Sequence, residues 1–188
     1  MTILKHVTIF LVAVLFLTLG SGCDLGVNPL LFDGTPVSAV FYVNTTGTSY
    51  SGSKTVNLND IFDAVGNRID SIKVFNITLQ VDSTEGTPAG TTLTGTGTAD
   101  DVTIVTMTNA DITSLATEQS IFDPSFTAFT LNPDGVDALA TKITNAFADR
   151  SVPHNVNFEV SGSRSTTTGS LKMKIIVRVY TQVYTTAS

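Results

Sequence analysis

Residues able to act as nucleophiles, bases or metal ligands are scarce in this chain of 188 residues, which has two histidines and one cysteine. A serine or cysteine triad needs an imidazole, and His154 is the only one beyond the N-terminal region. No Gly-x-Ser-x-Gly sequence, which is typical of a nucleophilic serine, supports such a triad. We therefore interpret His154, in the sequence Ser-Val-Pro-His-Asn, as a loop residue and predict no catalytic site.

Paired carboxylates are the next groups that could do chemistry. Three pairs stand out: Asp60 with Asp63, Asp100 with Asp101, and Asp134 with Asp137. A glycosidase needs two carboxyls flanking a sugar, usually beside aromatic platforms, and this chain has no tryptophan. The first and last pairs fall in the first turns of predicted helices, where negative charge is favourable. The middle pair indicates a polar turn, with a weak calcium site as the alternative. We predict no metal and no cofactor.

The overall charge restricts the class of partner. The formal net charge is −6, and an acidic chain argues against nucleic acid as the partner. The glycines between residues 86 and 97 are interleaved with threonine and are not followed by lysine. A phosphate-binding loop is therefore not predicted.

The N-terminal region has the pattern of an export segment. A basic pair, Lys5-His6, precedes an apolar run over residues 7–19, and the small residues Gly20-Ser21-Gly22 precede Cys23. The run is shorter than the roughly 20 residues that span a bilayer. A buried core helix is disfavoured because Gly20 and Gly22 interrupt it.

This arrangement resembles a bacterial lipoprotein signal, and the resemblance covers only the first 23 residues. It implies that residues 1–22 are removed and that Cys23 carries the lipid. It also implies a bacterial cell envelope location, on the periplasmic or outer-membrane face. Gly20 stands where the family usually has an aliphatic residue, so an uncleaved anchor and an ordinary secretory signal are the alternatives.

Residues 23–36 are predicted to be a lipidated tether, because Gly, Pro and Asn interrupt any period. The apolar triplet Leu30-Leu31-Phe32 is expected to dock on the fold. Residues 37–188 are predicted to be one β-rich domain, since the abundant threonine suits strands.

Alternating apolar residues predict the strands of this domain. The predicted strands are 37–43, 72–81, 91–98, 102–108 and 126–131. A change of phase in the second strand predicts either a bulge near Val74 and Phe75 or a strand that is buried on both faces. A short helix is predicted over 57–65, and an amphipathic helix is predicted to follow the cap Asn132 and Pro133.

The C-terminal region predicts a β-hairpin. Two alternating stretches, 156–161 and 171–183, are separated by a loop rich in Ser, Thr and Gly. One register places Phe158 opposite Ile175 and Val156 opposite Val177. The same register sets Glu159 opposite Lys174 as a charge pair.

These elements predict a mainly antiparallel β-sandwich, Ig-like in character, with one amphipathic helix and one short helix. The alternative is an open antiparallel sheet with the helix on one face. The outward residues of the last strand form the candidate interaction surface: Lys172, Lys174, Arg178, Tyr180 and Tyr184. Its basic residues are also explained by cross-strand pairing and by protection of an edge strand.

Two functional classes follow. The first is a lipid-anchored, non-enzymatic envelope protein with a structural or protein-interaction role, in which the C-terminal strand adds to the sheet of a partner. The second is an envelope lipoprotein that binds a glycan or an apolar small ligand between helix and sheet, with Tyr180 and Tyr184 as contacts. Asp70-Ser71-Ile72 and Asp82-Ser83-Thr84 look like short glycosylation sequons, and whether either is modified stays open.

Overall fold

A computed structural model describes residues 30–33, 36–61 and 71–185. The predicted signal and Cys23 lie outside these residues. Within them, the chain forms two five-stranded antiparallel sheets and one α-helix. The predicted antiparallel β-sandwich is therefore confirmed, and the open-sheet alternative is wrong. No helix in these ranges is long and apolar enough to cross a bilayer.

The first sheet, called sheet A, is built around the last strand of the chain. Its strands are β1 (Leu30–Asp33), β2 (Val37–Thr45), β4 (Ser71–Glu85), β7 (Gln119–Ser120) and β10 (Leu171–Thr185). β1 and β2 lie one after the other along one edge of β10, and β4 lies along its other edge. β7 pairs with the outer edge of β4.

The second sheet, sheet B, has the order β3-β9-β5-β6-β8. Its strands are β3 (Ser49–Asn57), β5 (Thr92–Ala99), β6 (Val102–Asp111), β8 (Phe129–Leu131) and β9 (Asn155–Arg164). Two 3-10 turns, Leu58–Ile61 and Ser114–Ala116, connect the sheets. The α-helix is α1 (Pro133–Ala148).

The core lies between the facing sheets. Its residues are the apolar ones that recur at every second position of the strands, because alternate side chains of a strand point to the same face. On β2 the inward residues Val37, Ala39, Phe41 and Val43 are all buried, as their alternation predicts. Sheet B contributes Val156, Phe158 and Val160 from β9 in the same way. Such alternation is what two solvated outer faces and one apolar interior require.

The helix α1 matches its prediction. Pro133 follows the cap residue Asn132, whose main-chain N–H donates to the carbonyl of Ile104 at 2.8 Å. Leu139 and Ile143 are buried on one face of the helix. Gly135 permits close contact with β6, because a Cβ there would overlap the main-chain oxygen of Thr103.

A buried arginine holds the loops at one end of the sandwich. The Arg164 side chain is 4 % exposed, and its Nε donates to the carbonyl of Gly47 at 2.9 Å. Its Nη2 donates to the carbonyl of Gly169 at 2.7 Å and to that of Thr46 at 3.3 Å. The guanidinium thus fixes the turn between β2 and β3 against the loop between β9 and β10.

The predicted C-terminal hairpin is wrong. β9 pairs with β3 and β5 in sheet B, whereas β10 pairs with β1, β2 and β4 in sheet A. Glu159 therefore does not lie opposite Lys174, whose strand partners are Tyr42 and Ser83. The loop between the strands crosses from one sheet to the other, and inward apolar residues on both strands suit that arrangement as well as a hairpin.

Two smaller predictions are confirmed. The bulge near Val74 and Phe75 exists, since Tyr180 pairs with Asn76 and Thr181 pairs with Val74, leaving Phe75 unpaired. The polar turn at Asp100 and Asp101 joins β5 to β6, and both residues have positive φ, which suits a two-residue hairpin.

Three boundaries differ from the predictions. Residues 30–33 of the predicted tether pair with β10, so docking of the apolar triplet is confirmed and the sheet begins before residue 37. The predicted helix over 57–65 is a 3-10 turn at Leu58–Ile61, capped where Asn57 Oδ1 accepts from the N–H of Asn59 at 3.2 Å. Its remaining residues lie outside the described ranges. β3 was not predicted, because its Ser, Gly, Lys and Thr residues show no apolar alternation.

Candidate interaction surface

The predicted surface residues lie on the outward face of β10, in the interior of sheet A. Lys172, Lys174 and Arg178 pair in register with Asn44, Tyr42 and Ser38 of β2 on one side and with residues of β4 on the other. β10 is therefore not an edge strand, and its charges do not protect a free edge. Tyr184 is half-buried and pairs with Ser71 and Leu31.

The basic residues at the start of β10 are neutralised by carboxylates on β4. Lys174 Nζ lies 2.8 Å from Asp82 Oδ2, and Lys172 Nζ lies 3.1 Å from Glu85 Oε1. Hydrogen bonding to Asp82 raises the pKa of Lys174. Cross-strand pairing of these lysines is therefore present, but the partners are Asp82 and Glu85 rather than Glu159.

The second half of the outward face is organised by Glu118, which sequence reasoning did not single out. Its Oε1 accepts hydrogen bonds from the hydroxyls of Thr78 and of Tyr180, the latter at 2.6 Å. Its Oε2 accepts from Arg178 Nη1 at 3.1 Å. The Tyr180 ring also contacts Phe75, with 6.0 Å between centroids. One carboxylate thus ties the loop before β7 to both β4 and β10.

This network shifts the pKa values of its members. Partial burial acts to raise the pKa of Glu118, but the hydrogen bonds from Thr78 and Tyr180 and the charge of Arg178 outweigh it and hold the pKa below its ordinary value of 4.5. The hydrogen bond to Glu118 raises the pKa of Tyr180. Glu118 is therefore a carboxylate at neutral pH, in a structural role.

The segment 112–121 covers the outer edge of β4. Its apolar residues Ile112, Leu115 and Ile121 are buried, and Leu115 is 0 % exposed. The N–H of Ile121 donates to the carbonyl of Ile77 at 2.9 Å, and Gln80 Nε2 donates to the carbonyl of Ala116 at 3.1 Å. The chain therefore covers the middle of this edge of sheet A, at residues 77–80, with its own residues.

The opposite edge of sheet A, formed by β2, is bare among the residues that the structure describes. β2 pairs with β10 on one side, and no described main-chain group bonds to it on the other. The strand is nine residues long and contains no charged residue. On its outward face Tyr42 is 77 % exposed. Sequence reasoning identified the strand but had no means to place it at an edge.

Two open clefts adjoin this strand. One, of about 380 Å³, lies between Tyr42 and Asn44 on β2 and the lysines of β10, with Glu85 beside them. The other, of about 440 Å³, lies between the end of β2 and the start of β3. The exposed ring of Tyr42 therefore borders an open concavity that both polar and apolar groups line.

The core offers little room for a small ligand in the part of the chain described. Two cavities lined by core side chains have volumes of about 20 Å³ and 10 Å³. A cavity of that size holds at most about one water molecule. Neither cavity lies at Tyr180 or Tyr184, so the predicted apolar ligand site at these residues gains no support.

The remaining candidates for chemistry are engaged in local structure. Asp100 pairs with Lys142 of α1 and accepts from the N–H of Asn157 at 2.7 Å. His154 Nε2 lies 2.6 Å from the carbonyl oxygen of Asp149 in the loop after α1. Across the described ranges, no group of three or more His, Cys, Asp or Glu residues could hold a metal ion. Asp63 lies outside those ranges.

Comparisons with known proteins identify no family for the chain. It matches no protein-family model, and no curated protein is significantly similar to it. The crystal structure of decameric BFDV capsid protein aligns with a TM-score of 0.33 and 9 % identity, covering 82 % of this chain and 99 % of that one. A likeness at this TM-score carries no argument about fold or function.

Proposed function

We propose that this chain is a lipid-anchored, non-enzymatic protein of the bacterial cell envelope that binds a partner protein through the edge of β2. The observation that carries the proposal is the uncharged strand β2, whose outer edge has no main-chain partner among the described residues. An unpaired strand presents a row of N–H and C=O groups, and a further strand can satisfy them by adding to the sheet.

Three other edge strands, β3, β7 and β8, have features that normally discourage such pairing. β3 is also nine residues long, but it carries the exposed Lys54 and an interior glycine, Gly52. β7 and β8 are two and three residues long. Short edges and lysine side chains both discourage strand addition. β2 has neither protection, and this contrast favours a binding role for it.

The position of β1 is compatible with an anchor at Cys23. Leu30 pairs with Thr185, so the chain enters sheet A at the end where β10 finishes. Six residues separate Cys23 from Leu30, and an extended chain of that length reaches about 25 Å at most. A lipid on Cys23 would therefore hold this end of sheet A near the membrane surface.

A second candidate function is glycan binding in the cleft at Tyr42. An exposed aromatic ring beside amide, ammonium and carboxylate groups suits a sugar, whose faces are apolar and whose hydroxyls need polar partners. The cleft volume of about 380 Å³ could admit a short saccharide. Tyr42 replaces Tyr180 and Tyr184 as the contact in this alternative.

The anchor is tested by intact mass and membrane fractionation of the full-length chain expressed in a bacterium. We expect a diacylglyceryl mass on the chain cut before Cys23 and recovery with the membranes. Cys23→Ser is the matched control and should abolish both. A chain with a free Cys23 thiol would refute the anchor.

Strand addition is tested by photo-crosslinking in the same cells. A photoreactive residue replaces Ser38, which is exposed on β2, and in the control it replaces Thr141, which is exposed on α1. We expect a discrete protein adduct from position 38 and none from position 141. No adduct from position 38, or equal adducts from both, would refute a role for the β2 edge. Retention on a polysaccharide resin that depends on Tyr42, with no adduct, would favour the glycan alternative.

A further inference from the structure

We propose that the partner of β2 is a second copy of this chain, joined through antiparallel pairing of the two β2 strands with Phe41 at the two-fold axis. The inference rests on the proposed strand addition at this edge. It adds the identity of the partner and the register of the contact.

The length of β2 selects the register. β2 begins at Val37 and ends at Thr45, so its central residue is Phe41. Antiparallel pairing of Phe41 with Phe41 of the second copy aligns all nine residues of both strands. A shift in either direction that keeps the buried and exposed faces matched moves two residues out of the pairing. Pro36, which has no N–H to donate, lies immediately outside the full overlap.

In this register the outward face of β2 is complementary to itself. Tyr42 lies opposite Val40 of the second copy, and Asn44 lies opposite Ser38. An aromatic residue across from a β-branched one is a favourable cross-strand pair, and an amide can hydrogen-bond a hydroxyl. The 77 % exposed Tyr42 ring would gain an apolar neighbour on each side of the axis.

Charge does not oppose the contact. No residue from Val37 to Thr45 is charged, so no like charges lie opposite each other in the two β2 strands. The nearest charges on the outward face, Lys172 and Lys174, are paired with Glu85 and Asp82 on the side away from β2. The β2 strands therefore add no charge repulsion of their own to the repulsion that the net charge of the chain produces.

The dimer has a consequence for the anchor. The partner of Leu30 on β10, Thr185, is ten residues beyond Ile175, the partner of Phe41. The two Leu30 residues of a dimer therefore lie about 65 Å apart, at opposite ends of the joined sheet. Two lipids reach one bilayer from these positions when the strands lie along the membrane surface.

The register is tested with engineered cysteines in the full-length chain carrying Cys23→Ser, in which they are the only thiols. Val40→Cys and Tyr42→Cys variants are oxidised separately and as an equal mixture. We expect disulfide-linked dimer mainly in the mixture, approaching half of the protein, because only mixed dimers place residue 40 opposite residue 42. A matched pair on the exposed face of α1, Thr141→Cys with Thr144→Cys, should give no such excess.

Sedimentation of the Cys23→Ser chain provides the second measurement. We expect a dimer that Val40→Lys converts to monomer, with the circular dichroism spectrum unchanged. A chain that sediments as a monomer, or equal disulfide formation in single variants and mixture, would overturn the inference. If position 38 then still crosslinks to another protein, strand addition survives with a different partner. If it crosslinks to nothing, both proposals fail.

Discussion

The two edges of sheet A differ in whether described residues of the same chain cover them. At the β4 edge, segment 112–121 buries Leu115 and bonds through Glu118 to Thr78, Tyr180 and Arg178. At the β2 edge no described residue supplies a main-chain partner, and Tyr42 stands in solvent. Residues 112–121 therefore stabilise the first edge, and the second edge is the one at which we propose association. Substitutions should divide accordingly into those that change unfolding and those that change assembly.

The largest difference is expected from apolar truncation at the two edges. Leu115→Ala should lower the free energy of unfolding by about 2–5 kcal/mol, because it leaves a cavity under the covering segment. Val40→Ala, at the bare edge, should cost less than about 1 kcal/mol, because Val40 is only half-buried. Urea denaturation of monomeric protein measures both. Equal losses would contradict the comparison.

A smaller effect is expected from removal of the carboxylates that pair with β10. Glu118→Ala should cost about 1–3 kcal/mol, because the buried Thr78 hydroxyl loses its acceptor and Arg178 loses its counter-charge. Glu85→Ala, which breaks the exposed pair with Lys172, should cost less than about 1 kcal/mol. The same denaturation experiment compares them. A Glu85→Ala loss as large as that of Glu118→Ala would show that the covered edge does not depend on this network.

The network should also appear in the pH dependence of stability. Because the pKa of Glu118 is lowered in the folded state, its contribution is present above the ordinary value of 4.5 and is lost as pH falls through the folded value. Glu118→Gln should therefore flatten the loss of stability below pH 4.5 relative to the native chain. Denaturation midpoints between neutral and acid pH measure the slopes. Parallel slopes for Glu118→Gln and the native chain would refute this role.

The smallest effect on stability is expected at the protected edge of sheet B. Lys54→Thr should change the free energy of unfolding by less than about 0.5 kcal/mol, because Lys54 is exposed. It should nevertheless increase self-association, because it removes the charge that discourages another strand from pairing with β3. Sedimentation of Lys54→Thr beside Thr55→Ser, an exposed neighbour, provides the measurement. An unchanged sedimentation profile would show that Lys54 does not prevent association through the edge of β3.

Much of the fold could be predicted from local pattern. The buried face of β2, the helix α1 after Asn132, and the bulge at Phe75 all follow from short-range periodicity. The prediction of a C-terminal hairpin was wrong for a definite reason. Alternation specifies which face of a strand is buried, but two strands with buried inward faces can pair in one sheet or face each other across the core.

The candidate site was less predictable than the fold. The sequence indicated the outward residues of β10. It contained no sign that Glu118, some 60 positions earlier, would accept hydrogen bonds from two of these residues, Arg178 and Tyr180. It likewise could not show that β2 lies at an edge. Edge position depends on which strands are absent beside it, and that is a property of the whole sheet.

Composition and local pattern are enough to predict an acidic β-rich chain with a single cysteine behind an export-like segment, and the inward face of each strongly alternating strand. These are consequences of composition and of the two-residue period of a strand. The positions of β10 in the interior of sheet A and of β2 at its edge, among the described strands, become visible only in the folded chain. Main-chain hydrogen bonds are the same for every residue type except proline, so strand partners are chosen by long-range packing that no local pattern records.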